Sequence, residues 1–283
     1  MFGDVGSRCA DDGDSAMFII HILFISVLWA APAWAHNPIT SEGQDAVAAG
    51  LTAAVVFAFW ILYWLGARHA TPTPWRRWVF HITAVITLFT ILGPLDEWAE
   101  HSSAAHMTQH MFMMVIIAPA FALARPLPQL YRECGRYGKW LWKSAFKITQ
   151  YPMVCAYVHG FMIWFWHIPA FYMLAVENPW VHIFEHACFL VTAVWFWWAC
   201  LHAFTRKVPY ALLALLLTLM HTGFLGALLT FAKEPLYGES RDLADQQLAG
   251  LLMWVLGGIP YITAAMWAGH RWYRQLQRRF IDN

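Results

Sequence analysis

The stretch SAAHMTQHMFMMVIIAPAFALA, Ser103 to Ala124, decides how this chain is to be read. It carries no Asp, Glu, Lys or Arg along its whole length, and Arg125 follows it directly. A helix of roughly 20 apolar residues crosses the hydrocarbon core of a bilayer. Similar stretches flank it. Six more read as spans, at Ala46–Ala67, Trp78–Leu95, Pro152–Val176, Trp180–Phe204, Pro209–Ala232 and Gln246–Ala268. The composition agrees: 60% of the 283 residues are hydrophobic and 12% are charged, against about 25% charged in a soluble domain. So few charges cannot cover a water-facing surface, which excludes an ordinary soluble enzyme, a disordered chain and a nucleic-acid binder. An unpaired backbone group in lipid is costly, so the spans are expected to be helical. The expected fold is an all-α integral membrane protein, a bundle of seven transmembrane helices preceded by a signal peptide or an extra N-terminal span.

Charge sets the orientation. Arg68, Arg76 and Arg77 follow the first span, and Arg125, Arg132, Arg136, Lys139, Lys143 and Lys147 follow the third. Arg206 and Lys207 follow the fifth, and Arg271, Arg274, Arg278 and Arg279 follow the seventh. All of these fall on one side. Lys233 and Arg241 are the basic residues of the other side, which is acidic through Glu42, Asp45, Asp96, Glu97, Glu100, Glu177, Glu234, Glu239, Asp242 and Asp245. The positive-inside rule makes the basic side cytoplasmic. The mature N-terminus is then outside and the C-terminus inside a plasma or inner membrane.

Residues 1–35 read as a signal-peptide-like leader and residues 36–283 as a seven-span membrane domain. The apolar run Ala16 to Ala35 ends in Ala33-Trp34-Ala35, a small-x-small pattern that suggests cleavage there. Cleavage would leave His36 as an amino-terminal residue able to chelate a metal. The five cysteines, Cys9, Cys134, Cys155, Cys188 and Cys200, form no C-x-x-C pair and predict neither a disulfide framework nor a thiolate site.

The histidines carry the chemistry. His106 and His110 stand four apart in the acidic-side half of the third span, on one helix face. His182 and His186 repeat the spacing at the same depth of the fifth, with Glu185 beside them. His167 enters that level from the fourth span, and His221 lies near the middle of the sixth. Ionisable residues in spans are functional candidates by default. The expected metal ligands are His106, His110, His167, His182 and His186, with Met107, Met111 and His221 as additional candidates. Asp245 and Gln246, opening the seventh span, are expected to orient the imidazoles from behind. Thioethers suit Cu(I), whereas His with Glu suits Cu(II) or Zn. A single buried His or Met, by contrast, more often packs or hydrogen-bonds a neighbouring helix. About four protein ligands serve one such ion, so this set implies either supporting residues or two sites. Pro94, Pro119, Pro169 and the run Gly257-Gly258 with Pro260 predict bends around a cavity.

Several motifs recur in order along the chain: Ala105-His106-Met107-x-x-His110-Met111, Ala118-Pro119 and Arg125-Pro126-Leu127; Trp166-His167-Ile168-Pro169; His182-x-x-x-His186 with Trp195-x-Trp197-Trp198; Gly226-Ala227-x-Leu229-Thr230 and Pro235-Leu236-Tyr237; and Asp245-Gln246-Gln247-x-Ala249-Gly250-x-x-Met253-Trp254. Together they resemble the CtaG family of multi-span cytochrome c oxidase assembly proteins. The motifs run from about residue 105 to 254; before them the likeness is one of hydropathy. The resemblance implies a role in maturing a haem–copper oxidase, with copper delivery the usual suggestion. It implies oxidase subunits as partners within the lipid bilayer, and other copper chaperones as further candidates. No enzyme activity is expected, for the chain has neither H-E-x-x-H nor a serine-nucleophile motif. Two other functions compete. A b-type haem carrier would need axial histidines near both membrane faces; the basic-side half offers only scattered His81, His159 and His202. A metal-ion transporter would need polar residues through the whole depth, and Glu185 is the one acid deep in a span.

Overall fold

The structure, a computed structural model, describes residues 43–238 and 242–281. The leader, its cleavage site and His36 lie outside the described residues. Those residues contain helices and no strand. Six helices are long and apolar enough to cross a membrane: Gly43–Ala67, Pro74–His101, Ser103–Ala124, Pro179–Leu201, Thr205–Thr230 and Leu243–Arg278. A bent pair, Pro152–Trp166 with Pro169–Glu177, brings the number to seven when counted as one broken span. In chain order that pair is the fourth span. The third span begins and ends where the apolar stretch does.

The fourth span departs from a straight helix, bending by 74°. Proline lacks an N–H and pushes the residue before it out of the helical region. Ile168, before Pro169, is accordingly extended, at φ −64° and ψ 126°. His167 closes the first half, with its Nδ1 2.7 Å from the Ile163 carbonyl oxygen. The bend therefore turns an ordinary span position into the end of a helix and fixes the ring of His167 there.

The third and seventh spans each contain a π-helical turn, Phe112–Ile117 and Leu252–Leu256. Each precedes a proline, Pro119 or Pro260. A proline ring collides with the carbonyl four residues back, and a widened turn relieves that collision. It also leaves carbonyls for other partners: the Trp197 indole of the fifth span donates to the Met114 carbonyl at 2.7 Å. This bond ties the third span to the fifth at the level below the histidines.

The fifth span is central. Its Phe189, Phe196 and Trp197 are buried in the main core with Trp166 of the fourth span, Leu215 of the sixth and Tyr261 of the seventh. Trp197 and Tyr261 stack with ring centroids 5.2 Å apart. The sixth and seventh spans approach through glycines: a Cβ on Gly250 would stand 2.5 Å from the Gly226 carbonyl oxygen. Small residues allow such backbone contact between membrane helices. Phe161, Phe184, Phe224 and Ile259 are exposed on the outside of the bundle, where a bilayer would receive them.

Candidate metal centre

Two capped helix starts set the depth of the site. Asn178 caps the fifth span, its Oδ1 accepting from the N–H groups of Trp180 and Val181 at 3.0 and 3.2 Å, with Pro179 in the first turn. His182, Glu185 and His186 therefore occupy the first two turns. Ser102 caps the third span by accepting from the Ala105 N–H at 3.1 Å. Its own hydroxyl donates to Asp245 Oδ1 at 2.7 Å, and the Ser103 N–H donates to Asp245 Oδ2 at 2.5 Å. The Asp245 carboxylate thus sits at the positive end of the third-span helix and pins it to the seventh. His106 and His110 follow on the next turns.

The two pairs meet. His106, His110, His182 and Glu185 each offer a ligand atom, and these atoms lie within 4.8 Å of one another. Glu185 Oε2 is 3.7 Å from His106 Nε2 and 3.6 Å from His110 Nε2. The rings crowd together, with centroids 4.3 Å apart for His106 and His110 and 5.3 Å for His106 and His182. His186 adjoins the group, its ring centroid 5.4 Å from that of His110 and 4.0 Å from that of His182. Glu185 is 0% exposed, and its two carboxylate oxygens have no hydrogen-bond partner among the described residues. A buried carboxylate is costly unless a cation compensates it. Three imidazoles around one carboxylate form a donor set of the borderline kind that holds Cu(II) or Zn.

The other expected ligands fall into place differently. Met107 and His167 meet each other: His167 Nε2 lies 3.3 Å from Met107 Sδ. Because Nδ1 faces a carbonyl, which only accepts, it carries the ring proton, and Nε2 is left as the bare nitrogen. A nitrogen and a thioether side by side suit Cu(I). Met111 instead packs on the seventh span, where a Cβ at Gly257 would stand 2.7 Å from its Cε. His221 lies against the fourth span, with Nε2 2.8 Å from where a Gly160 Cβ would be. Asp245 holds the start of the third span, and Gln246 accepts from the Leu236 N–H at 2.7 Å. Among the described residues their partners are thus backbone and Ser102 groups rather than imidazoles. Glu185 is outside the expected ligand set, although its i, i+3 spacing from His182 puts it on the same helix face.

A cavity of about 280 Å³ leads to this level. His106, His182 and His186 line it, and so do Asp45, Asp96, Glu100 and Glu177. Carboxylates lining a cleft raise the local concentration of cations.

The chain matches the family of cytochrome c oxidase caa3 assembly factors (Caa3_CtaG) over residues 56–275. It belongs to that family. The match starts within the first span, so it extends well before the motifs that begin near residue 105. No curated protein matches the chain, and no solved structure does. In this assembly factor the buried His/Glu group lies inside the matched region, as do the Met107–His167 pair and every residue of the cavity except Asp45, Ala48, Ala49 and Thr52.

Proposed function

We propose that this assembly factor takes up copper at its acidic end, holds it on His106, His110, His182 and Glu185, and passes it to a subunit of the oxidase. The observation that carries the reading is the buried Glu185 carboxylate, set among imidazoles, whose oxygens make no hydrogen bond among the described residues. Here copper is cargo. His186 and the Met107–His167 pair stand beside the four, and nitrogen with sulfur suits Cu(I) while nitrogen with oxygen suits Cu(II). The acidic cavity supplies the entry route, and with the positive-inside orientation it opens outside the cytoplasm. Residues 1–35 act as a leader to that membrane and residues 36–283 as the seven-span domain. The role is binding and transfer rather than catalysis.

The geometry favours an ion over haem. A haem held by two axial histidines needs its macrocycle between them, whereas these imidazoles contact one another at centroid distances of 4.0–5.4 Å. The test is oxidase maturation in cells carrying His106→Leu with His110→Leu. Apolar replacements are tolerated in lipid, so the variant is expected to insert at normal abundance while the oxidase fails to acquire copper and activity. Fully active, copper-replete oxidase in such cells would show that the pairs are structural.

A further inference from the structure

The basic end of the bundle holds a second cluster, remote in the fold from the histidine group. Arg76 lies in the first turn of the second span, Arg125 ends the third, and Arg271 lies near the end of the seventh. They gather around His202, which ends the fifth. Arg125 Nε donates to His202 Nε2 at 2.6 Å, and His202 Nδ1 faces the Trp198 carbonyl at 3.1 Å. Arg271 donates from Nη1 to the Leu201 carbonyl at 3.2 Å and from Nη2 to the Ala203 carbonyl at 3.1 Å. Arg271 thus holds the carbonyls on either side of the His202 ring to which Arg125 donates, and the helix that Arg76 opens packs against the helix that Arg125 closes. After burial, the charges of Arg76 and Arg271 are what pull the Arg125 guanidinium below the ordinary arginine range.

Three like charges drawn together need a reason. None of the three arginines has a carboxylate partner among the described residues. The Nε atoms of Arg76 and Arg271 are buried with no hydrogen-bond partner among those residues. Helix capping explains only part of the arrangement. Arg125 lies at a helix C-terminus, where a cation is favoured, but Arg271 stands well inside the helix Gly257–Ile281 and Arg76 lies at a helix N-terminus, where a cation is not favoured. Arg125 also adopts φ +52°, a left-handed conformation unusual for a residue with a side chain. The depth is that of a membrane face: Arg76 lies over the exposed Trp75 ring at 5.5 Å and Arg271 over the exposed Trp267 ring at 4.6 Å, and tryptophans concentrate at the head-group level. Guanidinium groups converging with spare N–H donors match the oxygens of a phosphate.

We propose that Arg76, Arg125 and Arg271 form a binding site for one phosphate group, supplied by the head group of an anionic membrane lipid. Such a lipid would close the seam between the second, third, fifth and seventh spans at the basic end, where repulsion among the arginines otherwise opposes packing. This site is independent of whether copper binds at the acidic end.

The test uses the full-length protein, delipidated in mild detergent and titrated with phosphatidylglycerol or phosphatidylcholine under native mass spectrometry. A parallel arm adds inorganic phosphate as competitor. One phosphatidylglycerol is expected to stay bound in preference to phosphatidylcholine. Arg76→Gln, and Arg76→Gln with Arg125→Gln, should weaken it by about fivefold for each guanidinium removed. Arg136→Gln, in the segment between the third and fourth spans, should leave it unchanged. Among the described residues Arg76 makes no backbone hydrogen bond through its side chain that would be lost, so its variant remains informative if the double variant fails to insert. Equal retention in wild type and Arg76→Gln would overturn the site. Stronger binding of inorganic phosphate than of the lipid, still sensitive to Arg76→Gln, would overturn the lipid as its source.

Discussion

Glu185 and the imidazoles around it make opposite demands on their surroundings, and single substitutions separate them. Glu185→Gln keeps the shape and removes the charge, so copper affinity is expected to fall by at least about tenfold, the lower end of what supporting groups contribute to metal sites. Competition titration of the purified protein would measure it. Met107→Leu conserves volume and removes the sulfur next to His167 Nε2. It should weaken Cu(I) and leave Zn(II) within a factor of about two, because zinc has little need of a thioether. A third residue titrates outside the site. Burial first, then Arg125, pushes His202 down to about 4 from its ordinary 6.5. A neutral ring of this kind stabilises the fold in full above pH 6.5, and the contribution is lost as pH falls toward 4. Arg125→Gln should narrow that window from its acid side, which thermal unfolding at pH 7, 5.5 and 4.5 would show as a smaller loss. At this scale the sequence was informative about spacing and depth. Two i, i+4 pairs entering from one side were bound to reach one level. It was silent about which way each helix faces, and His221 and Met111 turn to Gly160 and Gly257.

The helices position the site through a few contacts that can be broken singly. Gly250 meets the sixth span at backbone distance. Gly250→Val would have to push the seventh span away and should cost about 1–3 kcal/mol, with a lower unfolding temperature in detergent as the readout. Asp245→Asn keeps the size but weakens the acceptor for the Ser102 and Ser103 donors. About 1 kcal/mol is expected from a lost cap, and hydrogen exchange should rise at Ser103–Ala105 while the rest of the third span stays protected. The seven spans were legible because each is a long apolar run between charged loops, and the third was legible to the residue. The sharp bend of the fourth was not. Pro169 announced a break, but the 74° angle depends on how Pro169–Glu177 packs against the fifth span, which no local pattern encodes. The π turns were hidden in the same way: Pro119 and Pro260 mark the strain, and the choice of a widened turn depends on partners such as the Trp197 indole.

Across the whole molecule, charge is divided between two ends, and the two proposals fall one at each end. The acidic end surrounds a cavity with Glu100 and Glu177 at its lining. Neutralising both, as Glu100→Gln with Glu177→Gln, should slow metal uptake by about tenfold at low salt and by much less at high salt, with equilibrium binding nearly unchanged. Stopped-flow uptake at two ionic strengths would separate the rate from the affinity. The family, the all-helical membrane fold and the depth of the histidines could all be read from ordered motifs and hydropathy. The Arg76, Arg125 and Arg271 cluster could not, because its members are far apart in sequence and belong to three different spans. The central claim remains that the buried His/Glu group binds copper. Elemental analysis and an absorption spectrum of the protein purified in mild detergent test it most directly. The account predicts about one copper per chain, no Soret band, and loss of that copper in His106→Leu with His110→Leu. A strong Soret band, or copper retained undiminished by the double variant, would contradict it.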